Sequence, residues 1–511
     1  MINKYRTFLS TLILFLFGFL YFYNLNSDFY VGDTSHLTLN SSYNFSKGLG
    51  YTWGNINNLT SALKMSPLIS IFLGFIFYIF EFFTKVDLLM MIEISSFLIV
   101  VFTTLSLVTF FDTLKLLTNK RIAAICSFLF FSNFYILNVF LKISGEALGF
   151  FLVSFWINQL LKFQLNSKFN NFLFAAIANS LFYAAKYQLL FLHLYGILLI
   201  LYICKKKSFF LVYALLPTSL LTGHFYINYL RTNNIFGHPA GVSGDSFSIL
   251  FSDFIILLKR LFLIPNLPYN NYIILVVVVS TIYTIFKSKL IENINFYSFL
   301  IPKFTFNYLA IFACGNIILL FFTLRLNKVD SLSFRYFIFN LFFVFLVISM
   351  IGVKSRILLA YITFIAFFNI SQLFINYEAD YTIDECYCSD LSIETISYIE
   401  KNLTNENIIG SRFSTQIYYS EYKGLVFQLP FYSDYNKKYG RTLYLNEENF
   451  LSVVADNEIR YVVFFEGSDK KDYFVENNLY GEFINNLYNG KSIYVKNTLN
   501  LKDGKIIEIS Y

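Results

Sequence analysis

Charge is scarce in this chain. Asp, Glu, Lys and Arg together make up 14% of its 511 residues, where a soluble domain carries about a quarter. That shortage excludes an ordinary water-soluble globule. With 56% hydrophobic and 21% aromatic residues, most of the chain must face lipid or a lipid-embedded core. Cysteine is sparse too. Of the five, Cys126, Cys204 and Cys314 lie in apolar segments, where cysteine behaves as a small hydrophobe. Cys386 and Cys388 form one Cys-x-Cys pair with no second cluster, so neither a zinc module nor a disulfide framework is expected. The seven prolines and the wealth of Phe, Ile, Asn, Lys and Tyr carry the mark of a nucleotide bias more than of function. The net charge is +7, but Lys and Arg fall in short clusters between apolar segments rather than on one basic face, so nucleic acid is not an expected partner. No Gly-rich loop stands between a strand and a helix to hold a nucleotide.

What the chain does have is a succession of apolar runs, near 8–23, 67–83, 88–111, 122–141, 147–163, 171–186, 188–203, 208–229, 247–264, 271–286, 305–324, 334–352 and 357–375. Most approach the roughly 20 residues that span a bilayer. The first follows Lys4 and Arg6 and lacks a small-x-small cleavage site, which makes it a retained helix with a cytoplasmic N-terminus. The short run at 67–83 is assigned to the outer surface as a juxtamembrane helix. That choice puts Lys115, Lys120 and Arg121 in the cytoplasm, and the clusters at Lys162 and Lys168, Lys205 to Lys207, Lys287 and Lys289, and Lys354 and Arg356 then follow them inside. The run at 247–264, interrupted by Asp253, Lys259 and Arg260, is treated as interfacial in the same way. The expectation is a polytopic α-helical protein of the cell membrane with about 11–13 helices in residues 1–377. From about residue 378 the composition turns acidic and turn-rich. Segments such as IETISYIEKNL and IRYVVFFEG alternate helical and strand patterns, predicting a small extracytoplasmic α/β domain over 378–511.

Between the first two runs lies a polar stretch, about 24–66, far longer than the usual connection of four to six residues. It is the first external loop and carries Asp33 and Lys64. The same topology gathers Lys142 and Glu146, Lys186, Arg231, His238 and Asp245, then Arg325, Lys328, Asp330 and Arg335 on the external side. Glu146 and Arg335 each stand at the start of an apolar run and should point inward, since a charge within a bilayer is costly and faces a cavity or a partner. Taken singly, each has an ordinary explanation: a turn for Asp33, a helix start for Glu146, an interfacial anchor for Arg335. Together they suit transfer of a sugar from a lipid phosphate to a hydroxyl. That reaction wants a carboxylate to take the acceptor proton and cations to stabilise the leaving phosphate. Asp33 fits the first role; Arg335, Lys64 and Lys186 fit the second.

The same residues, in order, resemble a known family. Gly32-Asp33, then Lys47-Gly48-Leu49-Gly50-Tyr51, then Lys64-Met65-Ser66-Pro67-Leu68 is similar to the first external loop of the GT-C glycosyltransferases, in the branch of the protein O-mannosyltransferases and lipid A aminoarabinose transferases. Ser144-Gly145-Glu146, Leu230-Arg231-Thr232-Asn233 with Gly237-His238-Pro239, and Ser333-Phe334-Arg335-Tyr336 resemble later motifs of that family. The sequence departs from the pattern where Thr34 follows Asp33, leaving the second acid of the loop to Glu146, and where Ser66 replaces the first of two prolines. The resemblance implies the GT-C fold and an inverting transferase with a polyprenyl-phosphate sugar as donor and a hydroxyl of a lipid, glycan or protein as acceptor. In it Asp33 is the general base, Glu146 a second acid, and Arg335, Lys64, Lys186 and Arg231 the candidates for the donor phosphate. No cofactor is expected. A divalent cation shared by Asp33 and Glu146 is the disfavoured option, because no His or further acid stands near either in the sequence. The rival reading is a transporter or flippase for a lipid-linked sugar, which would place its ionisable groups along a path in mid-membrane rather than at one face.

Overall fold

The computed structural model describes residues 2–25, 33–53, 60–61, 66–203, 207–232, 270–287, 334–353, 355–375, 392–411, 422–429, 447–466 and 481–510, with the single residues 417 and 475. The described chain is mostly helical with a small C-terminal sheet. It divides into two compact units. One comprises 1–28, 96–240 and 244–381; the other comprises 29–95, 241–243 and 382–511.

The first unit, where described, is built from helices that follow the apolar runs of the sequence closely; the runs at 247–264 and 305–324 lie outside the described residues. The helices are α1 (Ile2–Leu25), most of α4 (Leu88–Leu117), α5 (Lys120–Phe131), α6 (Phe134–Phe140), α7 (Glu146–Asn166), α8 (Phe169–Ser180), α9 (Phe182–Ala185), α10 (Leu190–Ile203) and α11 (Lys207–Thr232). After them come α12 (Asn270–Lys287), α13 (Phe334–Gly352) and α14 (Arg356–Ile375). Two predicted spans are broken. The run at 122–141 stops at Ser132-Asn133, where the Asn133 side chain accepts from Ile136 N at 3.2 Å and starts α6 afresh. The run at 171–186 breaks at Leu181. Among the described residues Met90–Leu117 and Glu146–Asn166 are long and apolar enough to cross a membrane, while apolar stretches such as Leu9–Leu25 and Ile338–Gly352 are shorter.

Helix α7 is apolar around most of its circumference and correspondingly buried. It runs parallel to α4, as the paired contacts show: Ser106 Oγ donates to Ala147 O at 3.1 Å and Thr113 Oγ1 to Ser154 O at 3.3 Å, the same offset both times. Small hydroxyl residues let the two backbones approach. At the far end of this pair, Asp112 accepts from Lys162 at 2.8 Å and from Asn158 at 3.3 Å, with Lys115 at 3.7 Å. Beside it the core is a cluster of rings, Phe110, Phe130, Phe131, Phe140, Phe150 and Phe342, with centroids 5.0–6.1 Å apart in tilted, edge-to-face and stacked pairs.

In the second unit, α2 (Asp33–Ser46) and α3 (Pro67–Glu81) pack in parallel, with a short antiparallel pair, β1 (Thr52–Trp53) and β2 (Thr60–Ser61), between them in sequence. Ser41 Oγ donates to Ser70 Oγ at 2.9 Å, and Gly74 lies so close to α2 that an added Cβ would stand 2.6 Å from Ser42 O. The stretch Lys47-Gly48-Leu49-Gly50-Tyr51 ends α2 in a Schellman motif. Gly48 takes φ +76°, and Leu49 N and Gly48 N donate to Asn44 O and Phe45 O. The C-terminal part of this unit is a five-stranded sheet in the order β4-β3-β5-β7-β6, formed by β3 (Asn407–Gly410), β4 (Val426–Gln428), β5 (Ile459–Phe465), β6 (Val495–Leu501) and β7 (Gly504–Ile509). Its first three strands are parallel and the last two antiparallel. Helix α15 (Ile393–Asn402) precedes β3, α16 (Glu447–Asp456) stands between β4 and β5 in sequence, as a crossover between parallel strands requires, and α17 (Glu482–Tyr488) stands between β5 and β6. Tyr422 is buried in the core of this sheet.

Candidate functional site

Two of the residues singled out in the sequence come together. Lys186 Nζ donates to Glu146 Oε1 at 2.5 Å, with side-chain exposures of 9% and 1%. Glu146 is the first residue of α7, where its charge also suits the helix dipole. Lys186 sits in an extended break, φ −159°, between α9 and a 3-10 turn at Tyr187–Leu189. The approach of the two segments depends on Gly145, since a Cβ there would stand 2.5 Å from Ala185 O. Two charges this deeply buried must be paired, because desolvation of either alone outweighs what its surroundings return.

The backbone brings a third predicted residue into the same region. The Phe339 ring of α13 lies against Gly149, three residues after Glu146. Arg335 stands one turn before Phe339, second in its helix. Arg231 stands next to last in α11, two turns beyond His224, whose ring packs on those of Tyr183 and Tyr187 with centroids 4.9 and 5.9 Å away. Tyr183 and Tyr187 bracket Lys186 in the chain, and their rings lie tilted against one another at 4.8 Å. This aromatic group, with Phe225 against Tyr183 at 5.2 Å, went unread in the sequence. So did a buried chain of hydrogen bonds in which Trp156 Nε1 and Asn179 Nδ2 donate to the Tyr213 hydroxyl at 2.6 and 2.9 Å, and His193 Nδ1 lies 2.9 Å from Asn179 O. Such residues lie far apart in sequence, and no local spacing marks them.

The first-loop residues belong to the other unit. Asp33 is not in a turn: it opens α2. An acid there satisfies the helix dipole. Lys64 lies outside the described residues, as do His238, Asp245, Arg325, Lys328 and Asp330. The helix behind Asp33 is polar yet sealed, with Thr38, Asn40, Ser41, Ser42 and Asn44 all buried. Nearby, burial pushes the Tyr51 phenol above its ordinary pKa, against a hydrogen bond from Ser70 that lowers it. At the other end of α2, Lys47 pairs with Glu81 of α3. Among the described residues no three His, Cys, Asp or Glu side chains group as a metal site.

No protein-family model and no curated protein matches the sequence. Among solved structures, similarity is found to the oligosaccharyltransferase of Archaeoglobus fulgidus in complex with Zn and sulfate. The identity is 12% over 88% of this chain and 68% of that one, with a TM-score of 0.48. The same archaeal protein tethered to an acceptor peptide containing the NVT sequon gives 12% over 89% and 69%, also at 0.48. ArnT from Cupriavidus metallidurans bound to undecaprenyl phosphate gives 10% identity over 97% of both chains, with a TM-score of 0.43.

Proposed function

We propose that this protein is an integral membrane glycosyltransferase that moves a sugar from a polyprenyl-phosphate donor to an acceptor hydroxyl at the external face, with inversion. The observation that carries the reading is the buried Glu146–Lys186 pair at the start of α7, beside the start of the helix that bears Arg335. It is supported by the ordered motifs of the sequence and by the wide apolar faces that α1, α11 and α12 leave uncovered, which suit lipid. In this reading the helical unit spans the membrane several times and the C-terminal domain is extracytoplasmic.

In the reaction the bond between sugar C1 and the phosphate oxygen breaks as the acceptor oxygen bonds to C1. Asp33 takes the acceptor proton, and the polyprenyl phosphate leaves with its charge held by cations. Lys186, Arg335, Arg231 and Lys64 are the residues assigned to that phosphate. Glu146 acts through Lys186: it holds the ammonium in place and keeps the empty site neutral, so it is a positioning residue in this scheme. No step passes through a metal.

The test is transfer of radiolabel from polyprenyl-phosphate sugars to membrane acceptors in vesicles, comparing wild type with Asp33→Asn. Loss of a positioned general base lowers the rate by about 10²- to 10⁴-fold. Full activity in the variant removes Asp33 from the role. Absence of transfer from every donor, with donor lipid still crossing the bilayer, turns the reading into a flippase.

A further inference from the structure

Between α1, α4 and α5 lies a cavity of about 160 Å³ that the candidate site does not use. Leu107 and Phe131 form part of its buried floor, and Phe17 and Phe128, 56% and 44% exposed, stand at its mouth. Tyr21, Ser127 and Ser132 also contribute to the wall, but their oxygens are sealed beneath its surface. The cavity therefore presents carbon alone. Water would find no hydrogen-bond partner in it, and left empty it would forfeit dispersion contacts along all its walls. The mouth is continuous with the bared face of α1, where Leu9, Ile13, Leu16, Phe17 and Leu20 are each more than half exposed. In the membrane reading proposed above, hydrocarbon chains stand at that face. The floor also separates the cavity from the candidate site. Phe131 meets Phe22 of α1 on one side, with centroids 5.8 Å apart, and Phe140 and Phe150 on the other, at 5.6 and 6.0 Å. Glu146 stands one turn before Phe150 on α7. A donor whose phosphate lies on Lys186 has this ring cluster between it and the cavity, so the chain at the mouth is that of a surrounding lipid.

We propose that the cavity holds one acyl chain of a bilayer phospholipid, retained as a wedge between α1 and the α4 and α5 helices. The proposal goes beyond sugar transfer and rests only on the part of that reading that puts the helical unit in lipid. Phe17 and Phe128 flank the entering chain. The chain completes a packing surface that α1 makes above and below it by Phe19 on Phe97, at 5.6 Å, and by Phe22 on Phe131.

The test uses the full-length protein, purified in detergent, stripped of lipid and titrated with dioleoylphosphatidylcholine, the bound lipid being counted by native mass spectrometry. Wild type is expected to retain one phospholipid under activation that removes the rest. Ala124→Phe, which grows a ring from the cavity wall, weakens that lipid by at least about tenfold, and the smaller plug Ala124→Leu weakens it less. Leu211→Phe, at an exposed residue of α11 outside the cavity, leaves it unchanged. Thermal unfolding in the same detergent separates plugging from misfolding. Added phospholipid raises the melting temperature of wild type, and raises that of the plugged variants less. Equal retention by wild type and both plugged variants overturns the proposal, as does the absence of a retained phospholipid on wild type. Displacement of the phospholipid by an equal concentration of a polyprenol gives the cavity to the donor's tail and overturns it too. If the phospholipid behaves as expected while the vesicles transfer no sugar from any donor, the cavity stands and the transferase reading falls.

Discussion

The helical unit and the C-terminal α/β domain are made from the same Phe-, Ile- and Tyr-rich alphabet, yet they turn it in opposite directions. In α1 and α12, Leu16, Phe17, Leu20, Leu275, Val276 and Tyr283 are each more than half exposed. In the sheet domain, Ile399, Ile408, Val462, Val463, Phe464 and Ile507 are sealed. The polar groups are reversed as well: the helical unit buries an acid–lysine pair at Glu146 and Lys186, while the sheet domain leaves Lys496 and Glu508 paired at its surface. In the membrane reading proposed above, what differs is the medium each unit is built for. Water rewards burying carbon, and a bilayer rewards hiding charge.

That contrast is open to measurement, and the largest effect is expected at the buried pair. Lys186→Met strands the Glu146 carboxylate and should destabilise the protein by about 3–5 kcal/mol. Adding Glu146→Gln to it should restore much of that loss in detergent unfolding experiments. Next comes the outward face of α1. Leu16→Asp places a charge in mid-helix and should reduce membrane insertion by about 2.5–3.5 kcal/mol, read as the alkali-resistant fraction. Ile493→Asp, at a still more exposed apolar residue on the sheet domain, should change stability by no more than about 0.5 kcal/mol. Equal tolerance of the two aspartates would break the comparison.

Within the sheet domain, Asp503→Ala removes the side-chain cap of α15 and three hydrogen bonds. It should cost about 2 kcal/mol, seen as faster hydrogen exchange in α15 and β7 while the helical unit is unaffected. The smallest effect is expected for Lys47→Met. Its pair with Glu81 is chemically the same as that of Lys186 but lies in water, so the loss should stay below about 1 kcal/mol.

Much of the fold was legible because apolar runs announce helices wherever the medium is lipid or a lipid-like core. The ends of α7, α11 and α13 fall within a few residues of the runs that predicted them. Helix α2 was not legible. Its face toward α3 is made of Thr, Asn and Ser, whose hydroxyls bond to nearby carbonyls, as Ser42 does to Thr38 O, so no hydrophobic period betrays the helix. The interruption at Ser132-Asn133 did carry a signal, an Asn able to cap the next turn, hidden by the phenylalanines on either side. At the candidate site, Glu146 and Lys186 were each legible as charges at the edge of apolar segments. Their pairing was not, since it depends on a glycine 40 residues from the lysine's own neighbourhood meeting the carbonyl of Ala185.

Helix α3 has a consequence for where chemistry takes place. Its 15 residues make a rod of about 22 Å, short of the roughly 30 Å of hydrocarbon. It buries Ile69, Leu73 and Phe77 on one side and bares Phe72, Phe75 and Tyr78 on the other. If it lies on the bilayer as proposed, it behaves as a float with α2 lashed to its dry side by Ser41 and Ser70. In the transferase reading proposed above, the height of Asp33 above the acyl chains is then fixed by buoyancy, and the rate of transfer becomes a function of headgroup thickness and lateral pressure as much as of substrate.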